Sequence, residues 1–365
     1  MMNIDSKVRL AALRERMTAN GFSLTAIGPG SHMDWLLGFH PHSDERLCLL
    51  LVGLEKDAIV MSVLNVNGSL KSTAIELHTW SDEYGPKAAI LAAIHSIGAC
   101  DATAVVVDET MRADFALLLL ETLPRAKHSF TEATLGWLRM RKSEAELAAL
   151  KMNAGIADRA MQRAFARIEP GTSETELELV IKKSFSDEDV TPALWIVASG
   201  ANGALALPQT GRRLEVGDAV LLDIGGQKDG FYSDITRMAV VGHAPDGYSE
   251  VHSIIEGAVQ AALQVARPGV LASRLHQAAR TVIARAGYDE YFTHRTGHGI
   301  GIDLHEPPYI GGMSTTVLEA GMVFSIEPGI YLPGRFGVRL EEIVILRDDG
   351  PEILSSLPRD VYVAG

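Results

Sequence analysis

Cysteine is almost missing from this chain: Cys48 and Cys100 are the only two in 365 residues. Two cysteines cannot staple a fold of this size, so they read as free thiols in a reducing cytoplasm. Long hydrophobic runs are missing too. None approaches the roughly 20 residues that a bilayer-spanning helix needs. The longest stretches, 47–52 and 116–120, read as core. The opening MMNIDSKVRLAALRERM has no hydrophobic signal core and reads as an amphipathic helix. There is no Lys/Arg run either, and the net charge is −13, which argues against a nucleic-acid or anionic-membrane partner. Several catalytic signatures are absent. There is no G-x-S-x-G, no H-E-x-x-H and no cysteine with the surroundings of a nucleophile. Gly225-Gly226 lacks the rest of a dinucleotide or phosphate-loop fingerprint.

What remains is apolar and two-domain in size. Apolar residues make up 47% and charged residues 22%, as in a soluble globular enzyme with a sizeable core. Up to about 137, short apolar runs at 24–28, 48–52, 58–63 and 103–107 read as strands. Stretches at 6–20, 86–97 and 111–123 read as helices. This predicts an α/β domain over 1–138 with no dense polar cluster. His32, His40 and His42 read as residues of a surface loop. The basic segment 139–142 reads as a linker.

A second domain, 139–365, shows a weak internal repeat. Ser143 with Glu146 forms a capping-box signature opening a long helix, and Ser173 with Glu176 repeats it. The first helix ends at ARIEPG (166–171), and strands lead to an acidic hairpin. The second half runs from a helix at about 249 through VARPG (265–269) and another helix at 272–286 to a second acidic hairpin. Two such halves predict a pseudo-twofold domain.

The acidic hairpins carry the chemistry. Asp223 and Asp234 flank a Gly-rich turn taken as centred on Lys228–Asp229, which would set them opposite each other. Glu327 and Glu341 are placed symmetrically about Gly334. Carboxylates facing one another in apolar strands repel and resist burial, and a cation is the simplest compensation. His298 lies between, in HRTGHGIGIDLHEPP. Gly297, Gly299 and Gly301 oppose a helix there, so His294, His298 and His305 are expected on an extended segment that approaches a ligand. Oxygen donors with one imidazole suit manganese, cobalt, iron or zinc. Two such ions bridged by carboxylates share a water and lower its pKa, and the hydroxide attacks a carbonyl. Metal-assisted amide hydrolysis is the reaction class this predicts.

Four motifs, VLLDIGG…YSDITR, HRTGHGIGIDLHE, FSIEPGIY and GVRLEE, give the chain a resemblance to the metallopeptidases of the pita-bread fold. That group contains methionine aminopeptidase, prolidase and aminopeptidase P. The match covers about 220–345, and RKSEAELAALKMNAGIAD looks like the start of the family's catalytic domain. The length and the first domain look like the prolidase and aminopeptidase P branch. The resemblance implies an α/β (α+β) chain: a creatinase/prolidase-type N-terminal domain, then a pseudo-twofold pita-bread catalytic domain. It implies cleavage N-terminal to proline, by a dipeptidase or an aminopeptidase. Asp223 would bind one metal, Asp234 and Glu341 would bridge both, and His298 and Glu327 would complete the second. Two divalent ions are expected, with manganese favoured. Glu327 would also shuttle protons, His294 and His305 would contact substrate, and Arg339 would stand near the bridging carboxylate. A small peptide substrate, a homodimer and a cytoplasmic location go with the resemblance.

One segment departs from it. Where the family carries a histidine upstream of the first aspartate, in a segment resembling ALPH, this chain reads ALPQ, and no histidine occurs from 198 to 218. Gln209 could hydrogen-bond an oxyanion at that place but could not carry a proton. Losing one such stabiliser costs on the order of 10²-fold in rate. That departure keeps open an enzyme of the same fold acting on a small non-peptide metabolite. A catalytically silent interaction module is the other alternative, and the intact ligand set argues against it.

Overall fold

The computed structural model describes residues 6–66, 75–205 and 211–365. The chain forms two compact units, Met1–Arg139 and Met140–Gly365. No helix among the described residues is long and apolar enough to cross a membrane.

The first unit runs α1 (Ser6–Ala19), β1 (Leu24–Ile27), α2 (Ser31–Leu37), β2 (Leu49–Gly53), β3 (Asp57–Ser62), β4 (Glu76–Trp80), α3 (Lys87–Ser96), β5 (Ala104–Val107), α4 (Ala113–Thr122), β6 (Lys127–Ser129) and α5 (Leu135–Met140). Its strands form one mixed sheet in the order β4-β3-β2-β1-β5-β6. The four central strands are the four apolar runs of the sequence. The edges β4 and β6 are polar and largely exposed, so no apolar pattern announces them. Of the stretch 116–120, only Leu119 is fully buried, and Leu117 is exposed on the outer face of α4.

Two readings of this unit are corrected. His32 is not in a surface loop: it is buried on α2 beside Met33, Leu36 and Leu37. His40 and His42 are exposed, as expected. His32 also belongs to a dense polar cluster with Asp108, Glu109 and Arg139. The proposed linker is folded as well. Arg139 is buried at the end of α5, and Lys142, buried in the second unit, is ion-paired with Glu306 at 2.5 Å. Basic character misled here because each cation has an acceptor distant in sequence.

The second unit runs α6 (Glu144–Phe165), α7 (Glu174–Ser186), β7 (Thr191–Ser199), β8 (Ala219–Lys228), β9 (Phe231–Tyr232), β10 (Ile235–Val241), α8 (Tyr248–Val265), α9 (Ala272–Arg285), β11 (Gly297–Gly299), β12 (Glu306–Ile310), β13 (Val323–Ile326), β14 (Gly329–Leu332), β15 (Phe336–Arg339), β16 (Glu342–Arg347), β17 (Gly350–Ile353) and β18 (Tyr362–Ala364). Both capping boxes form, with Ser143 and Ser173 bonded reciprocally to Glu146 and Glu176. Each satisfies two donors that the first helical turn leaves unpaired.

The repeat is visible in backbone hydrogen bonds. After α6, Gly171 N donates to Leu214 O and Leu214 N to Thr172 O, both at 2.8 Å. After α8, Gly269 N donates to Leu318 O and Leu318 N to Val270 O, again at 2.8 Å. Leu214 and Leu318 precede Asp223 and Glu327 by the same interval. One sheet has the order β18-β10-β8-β7, with β9 on β8. The other has the order β12-β11-β13-β16-β17, and β14 pairs with β15. The strand β8 is buried on both faces. Val220, Leu222 and Ile224 pack on the α6/α7 core, while Ala219 and Leu221 face the core built on α8 and α9. Period-two alternation puts Asp223 on that second face, toward the other half.

Candidate metal centre

The hairpins deliver the carboxylates, but the first has a different register from the one expected. Its turn is Asp229–Gly230, with φ of 51° and 84°. Two positive φ values make a tight two-residue turn, and the second position suits glycine. The turn is therefore one residue further along, and Asp223 pairs with Thr236, not Asp234. Asp234 lies diagonally across on the same face, which still lets the two carboxylates converge. Asn153 on α6 holds the turn by donating to Lys228 O and Phe231 O. The second hairpin keeps the expected symmetry, with Ile326 opposite Glu342 and Gly329 opposite Arg339. Glu327 and Glu341 lie between these pairs, where the ladder is interrupted at Glu327-Pro328.

His298 arrives on β11, between two glycines that a side chain could not replace. A Cβ at Gly297 would lie 1.9 Å from Ser325 O, and one at Gly299 2.3 Å from Pro307 O. The imidazole Nδ1 donates to Gly299 O at 3.0 Å, which leaves Nε2 to point at the carboxylates. Nε2 lies 3.1 Å from Glu327 Oε1 and 3.8 Å from Asp234 Oδ2. Ser325 links the two elements: its Oγ accepts from His298 N at 2.9 Å and donates to Glu327 Oε1 at 3.0 Å.

The five expected ligands come together. Ligand atoms of Asp223, Asp234 and Glu341 lie within 4.8 Å of one another, as do those of His298, Glu327 and Glu341. A third such group joins Asp234, His298 and His305, so His305 stands closer to the acidic cluster than an outer contact requires. Asp223 Oδ1, Asp234 Oδ1 and Glu341 Oε1 are all buried and lack hydrogen-bond partners. Three orphaned carboxylate oxygens in one place are costly unless a cation sits among them, so this donor set fits divalent metal ions. The cluster of His32, Asp108 and Glu109 in the first unit differs. There Asp108 accepts from Gly28 N, Thr110 N and Thr110 Oγ1, and Glu109 accepts from Thr131.

The electrostatics divide the carboxylates. Burial, and then the charges of Glu341, Asp223 and Glu327, push Asp234 well above the usual carboxylate range. Burial and the charges of Glu327 and Asp223 do the same to Glu341. For Glu327 burial also pushes upward, but His298, Arg339 and His294 outweigh it and bring the carboxyl down to about 2. Burial lowers the pKa of His294, and shielding together with His298 lowers that of His305.

Arg339 ends β15, its side chain 13% exposed. It donates to Asp223 Oδ2 at 2.5 Å, to Tyr331 Oη at 2.8 Å and to Thr236 Oγ1 at 3.3 Å. Its direct carboxylate partner is thus Asp223. Glu341 is reached through Thr236, whose hydroxyl donates to Oε2 at 2.8 Å. His294 joins the same network. Its Nδ1 donates to Arg295 O at 2.7 Å, so Nε2 accepts the Tyr331 hydroxyl at 2.8 Å. Gln209 falls outside the described residues. Sequence reasoning missed Thr236, Ser325 and Tyr331. Each lies in or beside a ligand motif, and alternation from Glu327 through Gly329 would have put Tyr331 on the ligand face.

The profile of Metallopeptidase family M24 matches residues 148–348, and that of the Creatinase/Prolidase N-terminal domain matches residues 9–141. A relative from Mycobacterium tuberculosis named "Probable dipeptidase PepE" is 38% identical over 369 residues, spanning 97% of this chain and 96% of its own length. The crystal structure of dipeptidase PepE from Mycobacterium ulcerans superposes with a TM-score of 0.91 at 36% identity, covering 98% of this chain and 97% of that one. Recombinant prolidase from Thermococcus sibiricus gives 0.89 at 32% identity, covering 99% of this chain and 100% of its own.

Proposed function

This chain belongs to metallopeptidase family M24, has the pita-bread fold of the prolidases and is a metallo-exopeptidase hydrolase; from that premise we propose that it is a dinuclear metal-dependent dipeptidase cleaving N-terminal to proline. The observation that carries the dinuclear reading is the convergence of three orphaned carboxylate oxygens beside His298 Nε2. Asp223, Asp234 and Glu341 would hold one ion, and Asp234, Glu341, His298 and Glu327 the other. The dipeptide and proline preferences rest on the names of the relatives, a dipeptidase and a prolidase. The aminopeptidase option rests on a structural neighbour of lower identity, the X-Pro aminopeptidase from Thermotoga maritima at 27%. We take manganese as the metal because four of the five donors are hard carboxylates. A cytoplasmic homodimer completes the proposal.

Bound metal ions would supply an activated water and polarise the scissile carbonyl. The chain's own groups do the rest. Glu327 is ionised at neutral pH, with a pKa of about 2. Its Oε1 accepts from Ser325 Oγ, and this carboxylate would take the proton released by the attacking water. Arg339 fixes Asp223 and offsets charge in the cluster. His294 is neutral, and its Nε2 already accepts from Tyr331, so its contact with substrate requires exchange of that bond. His305, with its ring 4.1 Å from His298, is the nearer donor for the carbonyl oxygen.

The test is hydrolysis of Xaa-Pro dipeptides and Xaa-Pro-Yaa tripeptides by apo protein reloaded with manganese, cobalt or zinc, with Asp234→Ala as control. Dipeptide turnover that disappears in the variant is the expected result. Protein holding two metal ions yet cleaving neither substrate would overturn the reading.

A further inference from the structure

Behind the carboxylates lies a second charged cluster that the proposed chemistry does not use. At its centre is Arg237, next to Thr236 in the SDITR motif and 1% exposed. All three guanidinium nitrogens are engaged. Nη1 donates to Thr236 O at 3.1 Å and to Glu341 O at 2.5 Å. Nη2 donates to Glu342 Oε1 at 2.8 Å, Leu357 O at 2.9 Å and Ser355 Oγ at 3.3 Å. Nε donates to Pro358 O at 3.0 Å. The planar fork of arginine can address several acceptors at once, which a lysine ammonium cannot.

The partners belong to different parts of the unit. Arg237 and Thr236 lie on β10, in the sheet of the first acidic hairpin, while Glu342 begins β16, in the sheet of the second, and Glu341 immediately precedes it. No ladder joins β10 to β16. Besides Arg237, they meet through a 3.3 Å bond from Glu341 N to Thr236 O and the Thr236 hydroxyl on Glu341. The pair Arg237–Glu342 is also a poor choice if stability were its only purpose. Both side chains are almost wholly buried, Glu342 Oε1 is shared with Arg359 Nη1 at 2.9 Å, and Glu342 Oε2 has no hydrogen-bond partner. Buried ion pairs commonly do no better than apolar residues of the same volume, but they fix geometry.

We propose that Arg237 is a positioning residue that clamps the two halves together at Glu341, setting the distance between the Glu341 carboxylate and the carboxylates of Asp223 and Asp234. The inference rests on the dinuclear reading above. Arg237 touches no ligand atom. It acts through the backbone of Glu341 on one side and of Thr236 on the other.

The experiment is calorimetric titration of Mn²⁺ into apo protein, with electron paramagnetic resonance of the loaded sample to detect coupling between two ions. Wild type is compared with Arg237→Lys, which keeps a cation for Glu342 but loses the fork. The second variant is the double change Arg237→Met/Glu342→Met, which replaces the pair by apolar groups. Partners behind metal ligands typically affect affinity by about 10–100-fold. Folded variants should therefore bind the weaker ion about 10–100-fold less tightly and lose the spin-coupled signal. A purely structural role would lower the melting temperature and leave both binding steps and the coupling unchanged, which overturns the proposal. Failure of both variants to fold overturns it too, since the cluster would then serve the fold itself. Absence of two Mn²⁺ steps in wild type would instead remove the dinuclear reading, so the two failures are distinguishable.

Discussion

Replacing Asp234 by asparagine should stabilise the metal-free protein and destabilise the metal-loaded one. Asp234 shares the interior with Asp223 and Glu341, ligand atoms all within 4.8 Å. At that separation, with an effective dielectric near 20, each like-charge pair costs about 3 kcal/mol. Burial and these neighbours raise the Asp234 pKa, so protonation relieves part of the cost at neutral pH. A net gain of about 2 kcal/mol is expected for apo Asp234→Asn once the repulsion is removed. For a unit the size of Met140–Gly365 that is a rise of about 4–8 °C in melting temperature. Metal reverses the order. An ion at one hundred times its dissociation constant stabilises by about 2.7 kcal/mol per site, and a shared ligand lost weakens both sites. Differential scanning calorimetry with and without excess Mn²⁺ measures all four states. An apo variant less stable than apo wild type would refute the repulsion argument, and a wild-type melting temperature indifferent to metal would refute the cation argument.

Further outcomes follow from neighbouring contacts. Thr236→Val removes the hydroxyl from Glu341 Oε2 and adds a fourth orphaned oxygen to the cluster. Competition with a chelating dye should show metal affinity lower by about 10–100-fold. Lys142→Met takes the cation from the buried Glu306 carboxylate, whose Oε2 also accepts from Asp303 N, and should cost about 3–5 kcal/mol. Urea denaturation followed by circular dichroism checks it, and a loss below about 1 kcal/mol would mean that Glu306 finds another partner. The Cys48 thiol is pushed up to about 12 by burial, whereas Cys100 is exposed. A thiol reagent should titrate one group in native protein and two in denaturant.

What was legible in the sequence depended on whether information was local. The capping boxes at Ser143 and Ser173 are complete within four residues, and both form. The central strands of the first sheet are apolar runs. Its edges, Glu76–Trp80 and Lys127–Ser129, are strands only because a neighbour is there to pair with, and their own residues look like loop. His32 was misread for the same reason: Arg139 and Asp108, which make its burial tolerable, lie far away in the chain. At the site, residue types and spacing were enough to gather the five ligands, although the register of the first hairpin was wrong. The error shifted the pairing by two residues, and two is the period of a strand. Asp234 therefore stayed on the face of Asp223, where a shift of one would have sent it to the opposite core. The second hairpin had no such latitude to spend, because its three-residue loop around Gly334 keeps the symmetry that the sequence displays. Sequence patterns thus carried the five proposed ligands themselves. Thr236 and Arg237 act across the boundary between the halves, Tyr331 holds the Arg339 that reaches Asp223 across it, and only the folded chain shows what they touch.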